Sequence, residues 1–431
     1  MNTKLSEVRE GILEPERLDR HALIAAVSAL ALIAAPALLV LPKGLALFGA
    51  LLLVMTLLLM RRFPSAWREA GGTLRLLLLL AALVLGVSML SMQLSGQGWR
   101  TIDNIARQLL LPWCALVAYA AAPSRLWLWR GAMAGVVLAF LLALAQASSG
   151  LHRAGAGSNP LVFANAVLAL LVLAVYCRPA SRRWQVLLPV TLAFALGTTA
   201  IVLSGSRGVL PGLGLLLLAA MFRGGRRGWL RLGAAAAVAA AALLVLWSVP
   251  KLAEQSRLQH VSADLQAYSR GHVDTPVGAR IEFLAVAGRA FARHPLTGVG
   301  IDRFGGEIRQ IPVCRQQDLA FCKLGHAHND LAEWAATMGL PGLAAIVLLY
   351  LLPALLFVRL LRRAGAGPPV GAAWAGLMLI VMYALSGMTQ SMFAHALTSS
   401  AYAVFVGLLS GIAMREAEAA GRSPLPDRGH S

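Results

Sequence analysis

Apolar residues in this chain fall in long unbroken blocks, divided by short polar connectors. The blocks cover 22–41, 44–60, 74–93, 107–122, 131–149, 161–177, 184–203, 208–222, 232–249, 339–359, 370–388 and 397–414. Most are about 20 residues long, which as helix fills a hydrocarbon slab of roughly 30 Å. The pattern predicts an all-α polytopic membrane protein of about a dozen transmembrane helices. The polar first 21 residues lead into an apolar block with no small-residue cleavage site, so they read as a cytoplasmic N-terminus and not as a cleavable signal.

The connectors alternate in charge. Arginines gather at Arg61, Arg62, Arg68 and Arg75, at Arg125 and Arg130, and at Arg178, Arg182 and Arg183. They gather again at Arg223, Arg226, Arg227 and Arg231, and at Arg359, Arg362 and Arg363. The intervening connectors are short and poor in Lys and Arg. The positive-inside rule therefore puts the arginine-rich loops and both termini in the cytoplasm, with an even number of spans. The exception is 250–338, a long loop with no block apolar enough to cross. Long loops translocate whatever their charge, so it reads as an extracytoplasmic subdomain. The organisation expected is a cytoplasmic tail at 1–21, nine spans in 22–249, the loop subdomain at 250–338, three spans in 339–414 and a cytoplasmic tail at 415–431.

Composition agrees and adds one exclusion. The chain is 58% hydrophobic and 13% charged, far from the balance of a soluble domain. The net charge of +19 would suggest nucleic acid in a soluble protein. Most of the arginines flank membrane blocks, so they report orientation and no nucleic-acid partner is expected. Cys114 and Cys177 lie in apolar blocks and read as small fillers. Cys314 and Cys322 lie in the loop, where an oxidising compartment predicts a disulfide.

Candidate chemistry concentrates in and beside the loop. Segment 281–293 (IEFLAVAGRAFAR) has apolar residues at 281, 284, 287 and 291 and predicts an amphipathic helix at the membrane surface. The loop ends in His326-Ala327-His328-Asn329-Asp330-Leu331-Ala332-Glu333. Asp330 with Glu333 makes a capping-box pattern, Gly339 suits a helix end and Pro341 the first turn of the next helix. His328 is thus expected at a helix N-terminus, where the dipole disfavours imidazolium and a neutral ring could accept a hydroxyl proton. It could equally be a loop-capping surface histidine, or join His326 and Asp330 around a metal. Ser204-Gly205-Ser206-Arg207-Gly208 joins two apolar blocks; it is a plain turn or, with its arginine and exposed backbone amides, an anion site. Arg280 closes Pro276-Val277-Gly278-Ala279-Arg280. With Arg153, Arg207, Arg289, Arg293, Arg303, Arg309 and Arg315 it makes a phosphate-binding surface plausible, because guanidinium is permanently charged and bidentate.

Taken together, these motifs resemble the O-antigen ligase/polymerase superfamily. His328-Asn329, nine residues, Gly339, two residues and Gly342 reproduce the ligase pattern. Ser206-Arg207, Arg280 and the run from Pro295 through Gly298 to Gly300 stand in family order before it. By motif the resemblance covers roughly residues 200–345 and by topology most of the chain. It implies a metal-independent, cofactor-free membrane glycosyltransferase of the GT-C type in the bacterial inner membrane. Such an enzyme moves O-antigen polysaccharide from undecaprenyl diphosphate to a sugar hydroxyl of lipid A-core, with inversion, on the periplasmic face. On that resemblance His328, Arg280 and Arg207 are the catalytic candidates, and Ser206, Asn329, Asp330, Arg289, Arg303 and Arg153 the substrate-binding ones. No metal site is expected.

Three other readings compete. An O-antigen polymerase uses the same donor, and its Arg-x10-Gly pattern is met between Arg289 and Gly300. A protein O-oligosaccharyltransferase commonly extends well beyond its last span, which this chain does not. A secondary transporter often has twelve spans in repeated halves, but here the long loop follows span nine and the blocks hold almost no charge.

Overall fold

The computed structural model describes residues 2–151, 153–181, 184–222, 261–270, 273–317, 319–364 and 370–422. The expected ninth span at 232–249, the arginines at 223–231, Arg182, Arg183, the start of the long loop at 250–260 and the tail beyond 422 lie outside them. Among the described residues the chain is helical, without a strand.

The principal helices are α1 (Asn2–Ala37), α2 (Leu45–Leu59), α3 (Phe63–Leu94), α4 (Leu110–Ala121), α5 (Leu126–Ser148), α6 (Pro160–Tyr176), α7 (Trp184–Leu203) and α8 (Leu210–Phe222). They continue as α9 (Val261–Ser269), α10 (Pro276–Arg293), α11 (Asp330–Ala364), α12 (Gly371–Gly387) and α13 (Ala396–Arg422). Six described stretches are long and apolar enough to cross a membrane: Arg20–Ala37, Leu45–Leu94, Leu126–Ser148, Trp184–Leu203, Asp330–Ala364 and Ala396–Gly421. Three shorter apolar helices accompany them, Pro160–Tyr176, Arg207–Ala219 and Gly371–Gly387. The chain is a polytopic membrane protein.

Burial separates inner from outer helices. α6 is buried along almost its whole length and α13 nearly so, which fits helices apolar on every side. α3, α5 and α7 instead expose Leu79, Leu141 and Leu192, as helices bathed in lipid do. Cys114 and Cys177 are buried and unpaired, as expected of fillers.

Polar contacts mark the two ends of the bundle. At one end Arg415 meets Glu69 at 3.2 Å and Glu418 at 3.1 Å, and Arg125 meets Glu416 at 2.5 Å. Arg20 donates to the Leu58 carbonyl there, and Arg62 bonds His21. This is the end with the arginine-rich connectors. At the other end Asn104 donates to the Ala394 carbonyl, and Gln108 bonds Ser399. The loop subdomain sits at this second end. The backbone N–H of Ile301 donates to Ser91 Oγ at 3.0 Å, on the last turn of α3, and Arg303 donates to the carbonyl of Ser95, the residue after it.

Two expectations about helices change. α3 begins at Phe63, well before the apolar block at 74, because polar side chains tolerate helix once it leaves the hydrocarbon. In α10 the buried stripe is Ala279, Phe283, Val286, Ala287 and Ala290, packed on Phe304, Ile308 and Phe321. Of the expected apolar face at 281, 284, 287 and 291, Ala287 belongs to this buried stripe, Ile281 and Phe291 are half-buried, and Leu284 is 46% exposed. α10 is therefore the core helix of the subdomain, and only its outer face is left for a membrane surface. Thr275 caps it by accepting from Gly278 N.

Cys314 and Cys322 are disulfide-bonded beside this small core. Closing so short a loop contributes about 2–3 kcal/mol by the loop-entropy relation. Replacing both cysteines by serine is expected to lower the thermal midpoint of the purified protein in a ligand-free melt, while leaving the bundle helical by circular dichroism.

Candidate functional site

The chain after Lys323 turns extended and then enters α11. Asn329 is the helix cap: its Oδ1 accepts from Ala332 N at 2.9 Å, and its carbonyl from Glu333 N. The expected Asp330–Glu333 box is thus corrected by one residue. Glu333 reaches back past the cap to the backbone N–H of Ala327 at 2.5 Å. His328 precedes the cap in the left-handed region, at φ 51°. Few non-glycine residues sit there without a tertiary reason. The reason is visible: His328 Nδ1 lies 2.7 Å from Gln390 Oε1, and the ring stacks on Phe283 with centroids 6.0 Å apart.

α11 breaks at Gly339, whose φ of 65° and ψ of −154° are essentially a glycine-only conformation. The expected helix end and restart at Gly339 and Pro341 are present. The run from Pro295 to Gly300 lies against this break. Leu340 N donates to the Pro295 carbonyl, Val299 N to Ala336 O and Gly300 N to Thr337 O. A Cβ at Gly339 would stand 2.6 Å from the Leu296 carbonyl carbon. These glycines are therefore a backbone joint that docks the loop on α11. Gly339→Ala combines forbidden dihedrals with that clash and is expected to cost about 3 kcal/mol or more. A thermal melt of the detergent-solubilised variant checks it.

Asp330 faces inward and is 1% exposed. Its Oδ2 accepts from the Tyr350 hydroxyl at 2.7 Å, and its Oδ1 from Met392 N at 2.8 Å. Both oxygens are engaged within the protein: Oδ2 with a later turn of α11, and Oδ1 with the turn between α12 and α13, which it ties to α11. Asn329 does the same through Nδ2, which donates to the Met388 carbonyl. His326, His328 and Asp330 do not converge on one point. His326 Nδ1 stands 3.6 Å from Glu333 Oε1, His328 turns to Gln390 and Asp330 to Tyr350.

On the bundle side, Arg207 follows a turn closed by Ser204 and Ser206. Ser206 is buried; its hydroxyl donates to the Pro160 carbonyl at 3.0 Å, and its N–H to Ser204 Oγ. The hydroxyl expected for substrate thus fixes the turn. Arg153, from the loop before α6, donates through Nε to the Ser204 carbonyl at 3.0 Å. Thr389 Oγ1 meets the Gly208 carbonyl at 3.4 Å, joining the Arg207 turn to the same α12–α13 turn that holds Gln390.

The electrostatics show which of these groups share a site. Crowding by protein, with the Arg207 and Arg153 guanidinium groups nearby, pulls Arg280 below its ordinary pKa, although its side chain stays open to solvent. Burial, with Arg280 beside it, pushes His328 down, against the bond to Gln390. His395 is driven to about 4 by burial and by His326 and His328. His326 goes the other way, because the Glu333 carboxylate outweighs burial. So Arg280 links two groups: the Arg207 and Arg153 guanidinium groups on one side, and on the other His328, whose charged form burial and Arg280 disfavour.

Two other arginines do not join them. Arg289 pairs with Glu282 at 3.0 Å on the exposed side of α10. Arg303 is held by Ser95 and lines a separate polar cavity of about 700 Å³ with Arg309 and Lys323. Gln390 and His395 went unread in the sequence. Their signal was the polar run Thr389-Gln390-Ser391 and His395 between two apolar blocks, the same kind of turn that drew attention to 204–208.

A family model described as O-antigen ligase matches residues 192–347, which take in Arg207, Arg280, His328 and the Gly339 joint. No curated protein matches the chain.

Proposed function

We propose, from the match of residues 192–347 to a family model described as O-antigen ligase, that the chain transfers O-antigen polysaccharide from undecaprenyl diphosphate to a sugar hydroxyl of lipid A-core. The reaction takes place at the periplasmic end of a GT-C-type bundle of about twelve spans in the bacterial inner membrane. The observation that carries this reading is Arg280, which lies within electrostatic reach both of Arg153 and Arg207 and of His328, whose charged form is disfavoured.

The chemistry follows from charge. As the anomeric C–O bond breaks, negative charge grows on the departing diphosphate. Fixed guanidinium groups gain most from that growth, and a pre-formed cluster needs no reorganisation to meet it. Each of the three guanidinium groups offers planar N–H donors that match phosphate oxygens. The leaving group is already a stable anion and needs no strong acid. On the other side, neutral His328 accepts the hydroxyl proton of the acceptor as oxygen attacks the anomeric carbon, which inverts that centre.

The polymerase alternative draws on the spacing between Arg289 and Gly300. Arg289 is engaged with Glu282 and Gly300 with the α11 joint, so this pair is explained by packing. The discriminating test is deletion of the gene followed by electrophoresis of lipopolysaccharide. Loss of a ligase leaves core without a ladder while lipid-linked polymer accumulates; core bearing a single repeat would identify a polymerase.

A further inference from the structure

We propose that Gln390 is a positioning residue that holds His328 as the neutral imidazole protonated at Nδ1, leaving the Nε2 lone pair to the acceptor hydroxyl. The inference rests on the role given to His328 under Proposed function.

Gln390 is 1% exposed and bridges two histidines. Its Oε1 lies 2.7 Å from His328 Nδ1, and its Nε2 lies 2.5 Å from His395 Nε2. A carboxamide has one accepting and one donating end. The oxygen can bond only a ring N–H, so the His328 proton is on Nδ1. The NH2 can bond only a lone pair, so the His395 proton is on its own Nδ1. A neutral imidazole carries one proton, and Nε2 of His328 is left as the acceptor.

The charged groups around His328 agree. Arg280 on α10 opposes an imidazolium, and so does His326 two residues back. Glu333 on α11 favours one, but it is engaged with Ala327 N and His326. His395, across Gln390, is itself neutral near pH 7. An amide orients the ring without stabilising its protonated form; a carboxylate in that place would do both. Gln390 is fixed in turn. Asp330 holds Met392 N, Asn329 holds the Met388 carbonyl and Thr389 meets Gly208. The residues flanking His328 therefore hold its partner.

The test uses the full-length protein in detergent, labelled with 15N-histidine, with the His328 signals identified by their loss in His328→Asn. The wild type is expected to show a protonated Nδ1 and a bare Nε2 at His328, a readout that needs no variant to fold. Gln390→Glu is expected to raise the His328 pKa by at least about one unit and move the acid limb of the transfer rate to higher pH equally. Gln390→Met, similar in shape without the hydrogen bonds, is expected to give a tautomer mixture and a kcat about 10-fold lower, with the acceptor KM nearly unchanged. A wild-type proton on Nε2, or an unshifted titration in Gln390→Glu, overturns the proposal. If the tautomer is as expected but His328→Asn transfers at the normal rate, the assignment of Gln390 stands and the catalytic role of His328 falls.

Discussion

Arg280→Ala and His328→Ala are each expected to slow transfer by roughly 10²-fold or more, the scale of removing one pre-organised electrostatic stabiliser. The two should differ in their other signatures. Arg280 belongs to a cluster with Arg207 and Arg153, so its loss weakens donor binding as well as the rate. It also removes a cation that holds His328 neutral, so the His328 pKa should rise in Arg280→Ala. Since the working form is the neutral ring, activity would then fail at a higher pH on the acid side than in the wild type. In the wild type the depressed pKa keeps the ring neutral below the ordinary histidine value, and the rate should hold until the pH falls past that lowered point. His328→Ala removes the titrating group and flattens this limb. The measurement is transfer in proteoliposomes across a pH series at matched protein level. Near-normal rates in both variants would refute the site.

The second large effect concerns stability. Asp330→Ala is expected to destabilise the protein by about 2–4 kcal/mol, because it leaves the Tyr350 hydroxyl and Met392 N–H buried without their acceptor. It should also lower activity, since the turn it releases carries Gln390 and His395. Asp330→Asn keeps an acceptor oxygen and the shape, and should recover most of the stability. Thermal melts of the three proteins read the difference. A melt of Asp330→Ala equal to the wild type would show that the carboxylate is not a structural tie.

These contrasts show where the sequence was informative. Blocks of apolar residues at membrane length named the helices, because in lipid a backbone must satisfy its own hydrogen bonds and few alternatives exist. Gly339 and Pro341 were legible as a joint, since their dihedral preferences are local properties. His328, Arg207 and Arg280 were legible as a set through motif spacing. Ser206, Asn329 and Asp330, expected at substrate, make hydrogen bonds within the protein. A polar residue near a reactive one looks the same in sequence whether it faces substrate or fastens a turn, and only burial separates the two. The α10 face was read only in part for a similar reason. The helix has two apolar sides, and periodicity alone does not say which meets a core.

The sequence by itself therefore determined the membrane class and the apolar helices among the described residues, both of which follow from local composition and backbone preference. Tertiary structure decided which partners each arginine meets, and it brought Gln390, with His395 beside it, from the α12–α13 turn to His328, 62 residues away in the chain. Long-range pairing of this kind depends on how packed helices place their turns, and no local pattern encodes it.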